Sequence, residues 1–145
     1  MMLPHMQNPK LRIVPDTGFY IAAALKDGFA RSYLVGKGSK LFGYELLTSE
    51  AILLEVQNKL EDKFGFEREE VVKVIQDIRR VVTVVYPRQK LTVVRDADDN
   101  KILECAVEAE AHVVAAFDKD LLDLKEYVGI KMVHPSMLSY WFRKS

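Results

Sequence analysis

The stretch RDADDNKILECA, residues 95–106, places three aspartates directly before an apolar helical pattern. Asp99, Ile102, Leu103 and Ala106 share one helical face, because residues three, four and seven positions apart lie above one another on a helix. An aspartate therefore begins the stripe that packs inward. A single aspartate at this position ordinarily caps the helix, but one cap requires only one of the three.

Further acids follow predicted strands or border an apolar helix face. Asp16 follows the β-rich run at 11–14, Asp118 follows the apolar run at 112–117, and Glu55 borders the apolar stripe of a predicted helix. Each has an ordinary alternative as a helix cap or a solvated side chain. Brought together, these carboxylates would repel and raise one another's pKa unless a cation neutralised them. With no histidine or thiol at a matching position, such an all-oxygen set favours Mg²⁺ or Mn²⁺ over zinc.

The elements that must position these acids alternate along the chain. A strand and a helix begin the pattern at 11–28, and turn residues separate the later elements. The pattern predicts strands at 44–48, 112–117 and 130–133, and helices at 29–37, 49–63, 65–82, 100–111 and 119–124, with an extended segment at 90–94 and a proline-initiated helix after 134. Such alternation predicts a three-layer α/β/α fold with a mostly parallel sheet of about four to five strands. Ligands of such sheets bind at the carboxyl ends of the strands, where the acids are expected.

The composition indicates one folded domain. The chain has 145 residues, and its 21 basic residues balance 21 acidic ones, so net charge indicates no nucleic-acid partner. We expect a mobile tail at 1–10 and a single domain at 11–145. The lone Cys105 excludes an internal disulfide, and no apolar run near the N-terminus has the length of a signal peptide or membrane span. These features predict a cytoplasmic protein without a membrane partner.

Four stretches together resemble the PIN-domain nucleases, and within them the toxin-like group of prokaryotic toxin–antitoxin systems. They are VPDTGFYIAAAL (14–25), LLTSEAILLEVQNKL (46–60), VVRDADDNKILECAVEAEAHVVAAFDKDLLDL (93–124) and GIKMVHPSML (129–138). The third stretch carries the resemblance most strongly, because an acid-rich helix start, an apolar strand and DKDLLDL rarely occur together. The resemblance covers about residues 11 to 139.

The resemblance implies a site and a reaction. The acidic cluster of the family falls on Asp16, Glu55, Asp99 and Asp118, with Asp96 and Asp120 as nearby auxiliaries. It implies Mg²⁺- or Mn²⁺-dependent hydrolysis of RNA phosphodiester bonds, in which the held ion activates water and offsets charge on the phosphate. It also implies an RNA substrate, a small antitoxin partner and a homodimer.

Two departures from the family pattern support an alternative function. Gly18 stands where the family usually has asparagine, and Ala116 stands where a threonine or serine is common. Both changes remove polar groups that orient carboxylates, and such losses cost roughly 10- to 100-fold in metal affinity or activity. A catalytically weakened RNA-binding or regulatory domain is therefore the alternative. A phosphoacceptor receiver domain is a third possibility, although it would have paired acids after its first strand, where only Asp16 is found.

Basic residues near the acids do not define an RNA-binding patch. Lys59, Lys63 and Arg68 lie around the end of the helix that carries Glu55, and Arg95 precedes the aspartates. They can contact phosphates, but solvation on the surface is the favoured interpretation.

Overall fold

The structure, a computed structural model, describes residues 10–25, 43–138 and 140. The predicted helix at 29–37 and residues 1–9 of the predicted tail lie outside this described part. The strands are β1 (Leu11–Pro15), β2 (Tyr44–Thr48), β3 (Val82–Val84), β4 (Val113–Ala115), β5 (Glu126–Tyr127) and β6 (Ile130–Val133). The helices are α1 (Thr17–Ala24), α2 (Glu50–Asp62), α3 (Arg68–Val81), α4 (Ala97–Glu108) and α5 (Lys119–Leu124), followed by a 3₁₀ turn at Pro135–Met137.

The strands form one mostly parallel sheet, in the order β3-β2-β1-β4-β6-β5. All neighbouring pairs are parallel except β5 and β6. Helices cover both sides of the sheet, which confirms the predicted α/β class and its mostly parallel sheet. The sheet has six strands rather than the expected four to five. The two missed strands, β3 and β5, have three and two residues, and no alternation can be read from so short a run.

The centre of the sheet is fully apolar. Ile13 and Val14 of β1 and Val113 and Val114 of β4 are each 0% exposed, as expected for parallel strands covered on both sides. A proline inside such a strand would remove a hydrogen-bond donor. Pro15 is instead the last residue of β1, so the strand loses no interior donor.

The loop between β3 and α4, residues 85–96, is held by side chains of α4. Asn100 accepts hydrogen bonds from two consecutive backbone N–H groups, at 2.9 and 3.0 Å, and donates to the Val94 carbonyl at 2.9 Å. One turn further along, Glu104 accepts from the Leu91 N–H at 2.9 Å. The extended segment expected at 90–94 therefore pairs with a helix instead of a strand, and it fixes the approach to the aspartates.

The helices of the described part are short relative to a lipid bilayer. Within residues 10–25 and 43–138, none combines the length and apolarity that a membrane crossing requires.

Candidate metal centre and active site

A cavity of about 250 Å³ opens at the carboxyl ends of β1 and β4. Its walls come from the loops after these strands and from α1, α2 and α4. The lining residues are Asp16, Thr17, Gly18, Glu55, Lys59, Asp96, Asp98, Asp99, Ile102, Phe117 and Asp118. All four acids predicted as catalytic therefore line one cavity, as does the auxiliary Asp96. Parallel strands explain this convergence, because their carboxyl ends meet at one edge of the sheet.

Asp16 joins the start of α1 to the loop after β4. One carboxylate oxygen accepts a hydrogen bond from the Phe19 N–H at 2.9 Å and caps α1. The other accepts from the N–H groups of Phe117, at 2.9 Å, and Asp118, at 3.3 Å. Burial raises the pKa of Asp16, while these three backbone donors lower it. Because both oxygens already have protein partners, Asp16 fixes the position of Asp118 as well as adding charge to the cavity.

Asp99 is a buried carboxylate with an unsatisfied oxygen. It lies in the first turn of α4, is 8% exposed, and its Oδ2 atom has no hydrogen-bond partner among the described residues. Asp96 fills the capping role, because its side chain accepts from the N–H groups of Asp98, at 2.7 Å, and Asp99. Burial first, and then the charges of neighbouring aspartates, raise the pKa of Asp99 to about 7. An unpaired buried oxygen amid like charges is costly unless a cation binds it.

Two aspartates of the DKD sequence complete a group of three carboxylates. One oxygen from each of Asp99, Asp118 and Asp120 lies within 4.8 Å of the other two. Ligands at about 2.1 Å from one Mg²⁺ ion stand up to roughly 4.2 Å apart, so small side-chain rotations would let all three share an ion. The donor set consists of oxygens, which hard divalent cations prefer. These residues therefore fit a Mg²⁺ or Mn²⁺ ion.

Glu55 lies on the α2 side of the cavity in a different environment. One of its carboxylate oxygens accepts a hydrogen bond from the Thr17 hydroxyl, and the other lies 3.6 Å from the Lys59 ammonium. Burial and the adjacent Asp98 carboxyl raise the pKa of Glu55, whereas Thr17 and Lys59 lower it. The structure thus gives the cavity two acidic sides, one around Asp99 and one around Glu55.

The sequence did not indicate roles for Thr17 and Asp98. Thr17 follows Asp16 directly, and Asp98 directly precedes Asp99, so both belong to motifs already identified. Their orientation toward Glu55 depends on the packing of α2 against α1 and α4, which no local pattern encodes. One sequence feature relates to the orientation of Asp98 toward Glu55. Asp98 directly precedes Asp99, so its side chain lies about 100° around the helix from that of Asp99.

The two departures from the family pattern lie close to Asp16 and Asp118. A Cβ atom added to Gly18 would lie 3.5 Å from Asp16 Oδ1 and 3.6 Å from the Phe117 Cβ, which are ordinary contacts. The backbone at Gly18 therefore leaves room for a side chain. Ala116 is 0% exposed and donates its N–H to the Val133 carbonyl at 2.9 Å, so it continues the sheet layer and does not line the cavity.

We expect the stability of the metal-free protein to fall as pH rises from about 4 to about 7. The pKa of Asp99 is about 7 in the folded protein, against 3.8 for an unperturbed aspartate. Between these two pKa values, Asp99 is protonated in the folded chain and ionised in the unfolded chain. The free energy of unfolding is therefore highest below the lower pKa, and it declines until pH passes the upper pKa. Urea denaturation with chelator, across this range, measures the effect.

Asp99→Asn provides the control for this pH dependence. Exposed acids such as Glu50 and Glu108 have lowered pKa values and act in the opposite direction, so the difference between wild type and variant isolates Asp99. Added Mg²⁺ should reverse the trend, because metal ligation requires the deprotonated carboxylate. Identical pH profiles for the two proteins would contradict the prediction.

Comparisons with known proteins agree with the fold and with the predicted resemblance. The family model for the PIN domain matches residues 12–120. A Methanocaldococcus jannaschii protein, MJ1680, is 29% identical over 140 residues, which cover 89% of this chain and 86% of that protein. The crystal structure of Mycobacterium tuberculosis VapC20, a toxin that cleaves the sarcin-ricin loop, aligns with a TM-score of 0.56 at 18% identity, over 82% of this chain and 98% of that one. At this identity the VapC20 likeness establishes a shared fold.

The family match spans the strands and helices that position the acids. It begins in β1 and ends at Asp120, so it includes every acid that lines the cavity and the three carboxylates that could share an ion. The resemblance predicted from the sequence is therefore confirmed: the chain belongs to the PIN-domain family.

Proposed function

We propose that this protein is a Mg²⁺- or Mn²⁺-dependent endoribonuclease that hydrolyses RNA phosphodiester bonds, and that it is the toxin of a toxin–antitoxin pair. The observation that carries the proposal is the buried Asp99 Oδ2, which has no partner in the described part of the chain and belongs to a group of three convergent carboxylates. Membership of the PIN-domain family supports nuclease activity. The shared fold with VapC20, a toxin that cleaves the sarcin-ricin loop, supports RNA as the substrate.

The side chains divide the work between holding the ion and supporting its ligands. Asp99 and Asp118 would hold the ion, and Asp120 is placed to assist them. Asp16, expected from the sequence to be a ligand, stays a candidate ligand, and it would also fix the loop of Asp118, because its oxygens accept backbone hydrogen bonds from that loop. When bound, a divalent ion supplies an activated water and offsets charge on the phosphate.

Glu55 would position the attacking water from the opposite side of the cavity. Its hydrogen bond with the Thr17 hydroxyl fixes the carboxylate, and its raised pKa makes it a better proton acceptor than an ordinary glutamate. The catalytic set of Asp16, Glu55, Asp99 and Asp118 stays a prediction.

RNA cleavage by the purified protein tests the proposal. We expect cleavage with Mn²⁺ or Mg²⁺, and none with chelator. Asp118→Asn should lose activity, whereas Asp123→Asn should retain it, because Asp123 lies on α5 outside the cavity and pairs with Lys119 at 2.8 Å. Intact RNA in every reaction, despite demonstrated metal binding, would refute catalysis.

The absence of an asparagine at Gly18 favours a second candidate function, an RNA-binding domain with little turnover. In that case RNA would be retained in the presence of metal without being cleaved. The antitoxin partner, the homodimer and the cytoplasmic location remain predictions. Size-exclusion chromatography with light scattering tests the dimer, and a short open reading frame beside the gene would support the antitoxin.

A further inference from the structure

Lys59 is the only lysine or arginine among the described residues that line the cavity. It lies on α2, one turn after Glu55, and its side chain is 47% exposed. Six acids line the same cavity: Asp16, Glu55, Asp96, Asp98, Asp99 and Asp118. One positive side chain therefore stands at the edge of a strongly acidic pocket.

An RNA phosphate that enters this pocket requires compensation for its charge. A single divalent ion neutralises two of the six carboxylates, and the rest would repel the RNA backbone. A lysine at the rim offers a cation where the phosphate must pass, and lysine binds phosphate as a mobile point charge with three donors.

The contact between Lys59 and Glu55 leaves the ammonium available. Their 3.6 Å separation exceeds the usual length of a hydrogen bond, so the pair is held by charge alone. Ion pairs with a solvent-exposed partner contribute little to stability, so Lys59, whose side chain is 47% exposed, can leave Glu55 at little cost. Glu55 would keep its position, because Thr17 continues to donate to its other oxygen.

We propose that Lys59 is a phosphate-binding residue, which exchanges its contact with Glu55 for a phosphate of the RNA beside the cleaved bond. This inference rests on the proposed ribonuclease function. From the sequence alone, Lys59 could not be distinguished from a solvated surface lysine. The inference assigns it a role in RNA binding.

Three variants test the assignment. Lys59→Gln removes the charge, Lys59→Arg retains it, and Lys73→Gln removes an exposed lysine of α3 that pairs with Asp77 away from the cavity. We would measure KM and kcat for cleavage of single-stranded RNA with Mn²⁺ over a range of salt concentrations. The binding of a phosphorothioate RNA oligonucleotide with Mn²⁺ would be followed by fluorescence anisotropy.

We expect Lys59→Gln to raise KM about tenfold, since a charge-assisted contact is lost, with a smaller change in kcat. The slope of log affinity against log salt should fall by about 0.7, the value for one phosphate contact on a single strand. Lys59→Arg should restore most of the affinity, and Lys73→Gln should behave as wild type.

Two different results separate this inference from the proposed function. If wild type cleaves RNA and Lys59→Gln retains its KM and salt slope, the assignment of Lys59 is wrong while the ribonuclease proposal stands. If wild type does not cleave, the anisotropy measurement decides, and equal affinities of wild type and Lys59→Gln would again overturn the assignment.

Discussion

Replacing Asp99 with asparagine should abolish metal-dependent RNA cleavage and, at the same time, stabilise the metal-free protein. The asparagine keeps the shape of the side chain but removes the charge that attracts a divalent ion, so we expect activity to fall at least about 100-fold. The unpaired Oδ2 and the neighbouring carboxylates make the charged form of Asp99 unfavourable without metal. Its removal should raise the free energy of unfolding by about 1 to 3 kcal/mol at a pH above the pKa of Asp99.

Paired measurements on one preparation test both parts of this prediction. Calorimetric titration with Mn²⁺ reports binding, RNA cleavage reports activity, and urea denaturation with chelator reports stability. Asp123→Asn is the matched control, because it removes an exposed aspartate that lines no part of the cavity. If Asp99→Asn cleaves RNA like wild type, Asp99 is not a metal ligand. If activity falls together with stability, the loss reflects a damaged fold instead.

Asp16→Ala should destabilise the protein by about 3 kcal/mol or more. The carboxylate accepts hydrogen bonds from three backbone N–H groups in a largely buried place. Its removal leaves the N–H groups of Phe117 and Asp118 without this acceptor, and the Phe19 N–H keeps only its contact with the Asp16 carbonyl at 3.1 Å. Each such loss costs about 1 to 3 kcal/mol. Asp16→Asn should also destabilise, because an amide has one acceptor oxygen and its NH₂ group would face a backbone N–H.

Asp96→Ala is the control for this effect. Asp96 also caps a helix, but it is exposed, so its loss should cost only about 1 kcal/mol. Chemical denaturation of the variants gives the comparison. Equal costs for Asp16→Ala and Asp96→Ala would show that Asp16 is an ordinary cap and does not hold the loop after β4.

Periodic features of the chain were predictable from the sequence, and long-range contacts were not. The apolar repeats of α2 and α3 predicted both helices nearly to their ends. The four acids were predicted to converge because Asp16 and Asp118 follow strands, while Asp99 and Glu55 lie on or beside the apolar faces of helices. The partners of Asp16 in the loop after β4 were not predictable, because they lie 101 and 102 residues away and depend on how β1 pairs with β4.

The same reason explains why the sequence predicted neither the hydrogen bonds of Asp16 with the loop after β4 nor the grouping of the auxiliary Asp120 with Asp99 and Asp118. Sequence spacing places a carboxylate at the carboxyl edge of the sheet. The hydrogen bonds that its oxygens accept depend on the neighbouring loop. The Asp16 carboxylate accepts hydrogen bonds from the backbone of Phe117 and Asp118, while Asp120, exposed on the first turn of α5, has an oxygen within 4.8 Å of those of Asp99 and Asp118.

The hydrogen bonds between the loop at 85–96 and α4 couple the opening of these two segments. Residues 88, 91, 93 and 94 donate their backbone N–H groups to side chains spaced four residues apart on α4. Unwinding α4 would therefore remove the acceptors of the loop. Detaching the loop would leave the buried Asn100 without its loop partners and the buried Glu104 with only its ion pair to Lys101. Loop, helix and the aspartates between them should open as one cooperative unit, so a length change in this loop would be transmitted directly to the acids.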